Sequence, residues 1–192
     1  MSRGIRHIAT EAKEAVVEGV HGVGDVASAL VDAVSGSLVA SLKGTRAVGT
    51  ELMGFIVETI RGAVLGTAEI GSEVGHVAKS IMVGVLRGAR TVGEVGLDTV
   101  SGSAAALVKN TAEVGGNIAD VTKGAIEGAI ESAGDLGVSA EEAASAAATG
   151  AMKAAGQIGT AAVEQVQRVA TGTIAGVKVV LGEPFRNGRK RH

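Results

Sequence analysis

The sequence predicts an all-α protein of long amphipathic helices. Two observations predict it: a tandem repeat of 22 residues, and apolar positions spaced in threes and fours inside each unit. The repeat is plainest at 66–87, 88–109 and 110–131, which read GTAEIGSEVGHVAKSIMVGVLR, GARTVGEVGLDTVSGSAAALVK and NTAEVGGNIADVTKGAIEGAIE. The same frame runs back to residue 22 and forward to 175, so seven units fill 22–175, after a degenerate basic first unit at 1–21 and before a fading repeat and basic tail at 176–192.

Within the unit, position 5 is always a branched aliphatic (Val26, Val48, Ile70, Val92, Val114, Leu136, Ile158). Position 21 is always apolar (Leu42, Val64, Leu86, Val108, Ile130, Met152, Ile174), and position 6 is Gly in all units but the first, where Ala27 stands. Twenty-two is two elevens, and eleven residues make three turns at about 3.67 residues per turn, close to the pitch of an α-helix. Positions 5 and 21 therefore return to one apolar face. Acids at positions 4 and 11 (Asp25, Glu69, Glu113, Asp135; Asp32, Asp98, Asp120, Glu142, Glu164) and bases at position 22 (Lys43, Arg87, Lys109, Lys153) fall on the opposite one. Val, Ile and Thr favour strands, but a sheet requires alternation in twos, and the spacing does not supply it. The chain's 30 Gly make the helices intrinsically weak, at about 0.5–1 kcal/mol per interior glycine, so the apolar face has to be covered. Either continuous helices or antiparallel hairpins, a bundle or a filament satisfy the pattern.

With two Phe and no Tyr, Trp or Cys, the chain has few of the large aromatic side chains, and none of the disulfides, that usually hold a small core. A net charge of −2 argues against nucleic acid as a partner. No uncharged apolar run approaches the roughly 20 residues of a membrane span, and MSRGIRHIAT lacks a secretory h-region. The expectation is a cytoplasmic protein, peripheral to a membrane or lipid surface.

In chain order, residues 22–65 are the most hydrophobic, with Phe55 the one aromatic inside a repeat, suited either to lead insertion into a surface or to fill a helix pair. GxxxG spacings at Gly62/Gly66, Gly84/Gly88 and Gly124/Gly128 mark close helix approach or a smooth lipid-facing side. Residues 132–153 are the softest unit, with Ala at almost every large position. Turns are expected near Gly22–Gly24, Gly115 and Gly134 if the chain doubles back. Helix is expected from about residue 8 to 181, without sheet, and Pro184 ends it ahead of the disordered tail carrying Arg186, Arg189, Lys190 and Arg191, a solubilising end or an electrostatic tether.

His7, His21, His76 and His192 are scattered and there is no Cys, so local spacing offers no metal site. The acids recur because the polar face recurs. No nucleophile, base or oxyanion arrangement is identifiable, and the expectation is a protein without catalytic activity, metal or cofactor.

The repeat resembles those of synucleins, perilipins and exchangeable apolipoproteins: EAKEAVVEGVHG (11–22) is similar to synuclein 11-mers, and the 22-residue frame to that of apolipoproteins. The resemblance implies reversible, curvature-sensitive binding to membranes, lipid droplets or storage granules. The lipid-facing or packing-face residues would be Val26, Val48, Phe55, Ile70, Leu86, Val92, Val114, Ile130, Ile158 and Ile174. A homo-oligomer held by a Gly/Ala seam is the second expectation, and a stress-protection protein the third.

Overall fold

A computed structural model describes residues 2–21, 26–43, 50–70, 73–93 and 95–181. Among these, eight helices follow one another: α1 (Ser2–His21), α2 (Val26–Leu42), α3 (Thr50–Glu69), α4 (Val74–Val92), α5 (Leu97–Glu113), α6 (Ile118–Leu136), α7 (Ala140–Ile158) and α8 (Thr160–Ala170). A two-stranded antiparallel hairpin, β1 (Gly172–Ile174) and β2 (Val177–Val179), closes the described chain. None of the described helices is long and apolar enough to cross a membrane.

The described chain is broken into separate helices of 11–20 residues, so the continuous form of the expected helix is not adopted. Positions 5 and 6, read from sequence as a face, are largely punctuation. Val92, Leu136 and Ile158 are the last residues of α4, α6 and α7, and Gly93, Gly137 and Gly159 follow them as caps. After α5 the Gly115 N–H donates to the Ala112 carbonyl and Gly116 N–H to that of Thr111, the Schellman pattern, with Gly115 at φ 73. Gly137 (φ 70) and Val138 repeat it on the carbonyls of Gly134 and Ala133. The bend expected near Gly134, at the Gly134/Gly137 pair, is present at Gly137, the one of the two whose backbone enters the left-handed region that glycine tolerates without a Cβ clash. The turn at Gly115 is present, and that at Gly22–Gly24 falls outside the described residues.

Helices α6 and α7 start on polar caps. Asn117 Oδ1 accepts from the N–H groups of Ala119 and Asp120 to open α6. Ser139 and Glu142 form a reciprocal capping box on α7, the Ser139 hydroxyl accepting from Glu142 N–H and the Glu142 carboxylate from Ser139 N–H. The expectation of helix to residue 181 without sheet is also corrected: alternation in Thr173–Ile174 and Val177–Lys178–Val179, with Ala175 and Gly176 both at positive φ (49 and 80), makes a two-residue type I′ hairpin. Ile174 and Val179 are its buried side.

Packing follows a simple rule. The four most extensive contacts join next-but-one helices, α1 to α3, α2 to α4, α4 to α6 and α5 to α7, whereas α3 to α5 and α6 to α8 meet less closely than some consecutive helices do. Odd-numbered helices thus form one row and even-numbered helices a second, stacked as helix pairs. Within a row the helices run parallel, since Gly84 faces Val34 while Gly88 faces Leu38, and Gly124 faces Ala78 while Gly128 faces Met82. The core between rows holds Ile56, Ile60, Ile81, Met82, Leu86, Leu107 and Ile126, all fully buried.

Gly93 and Gly137 isolate the cost of backbone conformation, because a Cβ at either meets nothing within 4 Å but only Gly137 has a positive φ. Gly137→Ala is expected to lower unfolding stability by about 1–2 kcal/mol, and Gly93→Ala (φ 178) to leave it nearly unchanged. Urea unfolding curves of the two variants provide the check.

Candidate functional site

The candidate site is the set of seams between next-but-one helices together with the groove that the odd row leaves open. A Cβ built at Gly62 on α3 would meet the Ala9 carbonyl oxygen and lie 2.7 Å from Ala12 Cβ on α1; at Gly66 it would lie 3.0 Å from Lys13 O. At Gly84 on α4 the neighbour is Val31 O at 2.8 Å, and at Gly88 it is Ser35 O at 3.1 Å. Gly124 and Gly128 on α6 sit equally close to Ala78 Cβ (2.8 Å) and Lys79 O (2.8 Å). Outside the GxxxG pairs, Gly150 on α7 presses on the Ser101 carbonyl of α5. These positions are glycine because backbone atoms and Cβ atoms of the neighbouring helix already occupy the space a Cβ would take.

Alanines continue the seams. Helix α7, the softest unit by composition, buries Ala143, Ala144, Ala147, Ala148, Ala151, Ala154 and Ala155. It is among the most closely packed helices of the chain, mostly on α5 and α6. Small side chains there serve proximity and not weakness. The chemistry is that of close van der Waals contact, and it leaves the buried hydroxyls of Thr59, Thr67, Ser103 and Thr111 without hydrogen-bond partners.

Ion pairs stitch the same helices on their outer sides: Lys13–Glu69 (2.6 Å) joins α1 to α3, Arg87–Asp32 (3.4 Å) joins α4 to α2, and Lys79–Glu131 (2.6 Å) and Arg90–Asp135 (3.1 Å) join α4 to α6. Each partner is more than a third exposed, so each pair contributes at most about 1 kcal/mol, and their common role is register. The hydrogen bond to Glu131 raises the Lys79 pKa, against a lesser opposing effect of burial.

Of the apolar residues picked out from sequence, Leu86 and Ile174 are buried, the latter in β1 and not in a helix. Phe55, Val92 and Ile130 are half-buried against the core. Ile70 stands half-buried just after α3. Val26, Val114 and Ile158 are exposed, at 36%, 36% and 40%, because position 5 sits at helix ends. Val48 and the tail residues Arg186, Arg189, Lys190 and Arg191 lie outside the described residues. Among the described residues no group of three or more His, Asp or Glu is placed to hold a metal ion.

Sequence reasoning missed the groove, a space of about 1200 Å³ between α3, α5, α7 and α8. Its apolar lining includes Met53, Val57, Met152 and Leu181; its charges are Glu58, Arg61, Asp98, Lys109, Glu113 and Lys153. No local motif announces it, since α3, α5 and α7 are separated in sequence by α4 and α6.

The seams predict opposite outcomes for one substitution. Gly36→Ala on α2, where nothing lies within 4 Å of the new Cβ, should raise stability by about 0.5–1 kcal/mol through helix propensity. Gly62→Ala and Gly150→Ala should lower it by about 1–3 kcal/mol, because the new methyl runs into a carbonyl. Denaturant midpoints of the three variants decide the matter.

The Ser139 hydrogen bonds, backbone N–H first and hydroxyl second, hold the Glu142 carboxyl below its usual range. A depressed carboxyl stabilises the fold above its unfolded pKa and loses that contribution as pH falls through the folded value. Amide protection at the start of α7 should therefore fall on acidification below about pH 4; Glu142→Gln should abolish that dependence, and Ser139→Ala, which keeps the backbone N–H donor, should only weaken it. Hydrogen exchange across this range is the measurement.

The chain matches no protein-family model, no curated protein and no solved structure.

Proposed function

We propose that the protein is a non-catalytic structural protein, a self-packed helical stack held by Gly/Ala seams, whose role is to present a rigid repeat surface. One observation carries the reading: the glycines of the seams face backbone atoms of the chain's own helices at contact distance. The apolar faces are thereby engaged within the chain. Among the described residues the large apolar side chains left exposed are Val57 and Leu65 on α3 and the single residues Val26, Val114, Ile158 and Val180 elsewhere.

Coating of a membrane, lipid or storage-granule surface is the second reading. It is favoured by the make-up of the core, where Ala and Val outnumber larger side chains, so that a helix loses little burial when an apolar surface replaces its neighbour. The resemblance to lipid-surface repeats supports it as well.

Circular dichroism of the purified chain, with and without anionic phosphatidylserine vesicles, separates the two. Self-packing gives a highly helical, cooperatively melting protein whose spectrum changes little on adding vesicles. A chain largely unfolded in buffer that becomes helical only on vesicles would reverse the order of the two readings.

A further inference from the structure

The groove between α3, α5 and α7 differs from the rest of the surface in its charges. Elsewhere cations and carboxylates on neighbouring helices pair, as in Lys13–Glu69, Lys79–Glu131 and Arg90–Asp135. In the groove none of Glu58, Arg61, Asp98, Lys109, Glu113 and Lys153 forms an ion pair with another described residue. The buried Asn110, which also lines the groove, donates its amide nitrogen to the Ala106 carbonyl. An apolar lining and charges without an ion-pair partner among the described residues together suit an extended polypeptide, whose side chains alternate between two faces.

The chain delivers such a segment to this place. Leu181, the last described residue, itself lines the groove, following a hairpin packed on α7. Residues 182–192, GEPFRNGRKRH, come next. Their 11 residues reach at most about 36 Å when extended, longer than the roughly 27 Å of an 18-residue helix. Phe185 supplies an apolar anchor four residues beyond Leu181, Glu183 one carboxylate for the groove cations, and Arg186, Arg189, Lys190 and Arg191 the complement of Glu58, Asp98 and Glu113. Covalent attachment keeps the segment at an effective concentration near the millimolar range, so a weak groove affinity is enough.

We propose that residues 182–192 bind in the α3/α5/α7 groove of their own chain, with Phe185 on the floor formed by Met53, Val57 and Met152 and the basic residues on its unpaired carboxylates. The tail is then an internal ligand that any external polypeptide of similar chemistry must displace. This inference concerns the groove alone and stands whether the stack presents a surface or coats one.

The chain has neither Trp nor Tyr, so Phe185→Trp in the full-length protein introduces a single fluorophore. Docking gives blue-shifted emission, protected from a soluble quencher relative to the free peptide 182–192 carrying the same Trp. The shift reverts toward the peptide value in high salt and in the Glu58→Lys/Glu113→Lys variant. If that variant fails to fold, the salt titration and the amide exchange of α3, α5 and α7, compared between the full chain and a chain ending at Leu181, decide in its place. Emission equal to that of the free peptide, or groove exchange unchanged by removal of the tail, overturns the proposal. A blue shift that vanishes on dilution puts the tail in a second copy and overturns it equally.

Discussion

Everything in this fold depends on how closely two parallel backbones can lie. Where α3 meets α1, α4 meets α2, α6 meets α4 and α7 meets α5, a single methyl group would enter the space of a carbonyl oxygen or of another Cβ. That steric condition dictates the composition. One helix of each seam carries glycine at the points of closest approach, opposite the backbone and the Cβ atoms of residues such as Val16, Leu38 and Met82 on the other. Each glycine weakens its helix by about 0.5–1 kcal/mol, and dispersion between the two close surfaces offsets that loss. A helix taken out of the stack would keep the penalty and lose the compensation, so the elements of this protein are stable only together.

The repeat length follows from the same condition. For glycines on one helix to meet the right carbonyls on the next but one, two helices and two turns must return the chain to the same height. The caps perform this measurement. Gly115 and Gly137 end helices in the left-handed conformation, Asn117 and Ser139 start the next ones, and the outer ion pairs Arg87–Asp32 and Arg90–Asp135 resist slippage. The register is over-determined by contacts each of which is weak.

Much of this is legible in the sequence, though not all of it in the right terms. Helicity and the 22-residue unit are evident from spacing. The conserved Val/Ile/Leu–Gly at positions 5 and 6 has two physical readings, a turn of an apolar face or a helix end, and periodicity alone cannot separate them because a helix of five turns plus a short link also returns in phase after 22 residues. The deciding signals are Asn117 and Ser139 two residues after a glycine, with Glu142 completing a capping box. The hairpin at 172–179 escapes because Ala175–Gly176 is not one of the strong turn pairs. Stripes such as Gly62/Gly66 signal proximity without saying to what, and the groove needs three helices in place before its lining exists.

The helical stack and the surface-bound continuous helix differ most in a single distance. Asp32 and Arg87 are 55 residues apart in sequence yet lie 3.4 Å apart as an ion pair across α2 and α4. In one continuous helix they would be separated by about 80 Å. The chain contains no cysteine, so the Asp32→Cys/Arg87→Cys variant carries two spin labels at defined sites. Electron–electron distance measurement, in buffer and on anionic vesicles, tests the central claim. Stacking predicts a short, narrow distance in both conditions; a distribution centred near the continuous-helix value would contradict it.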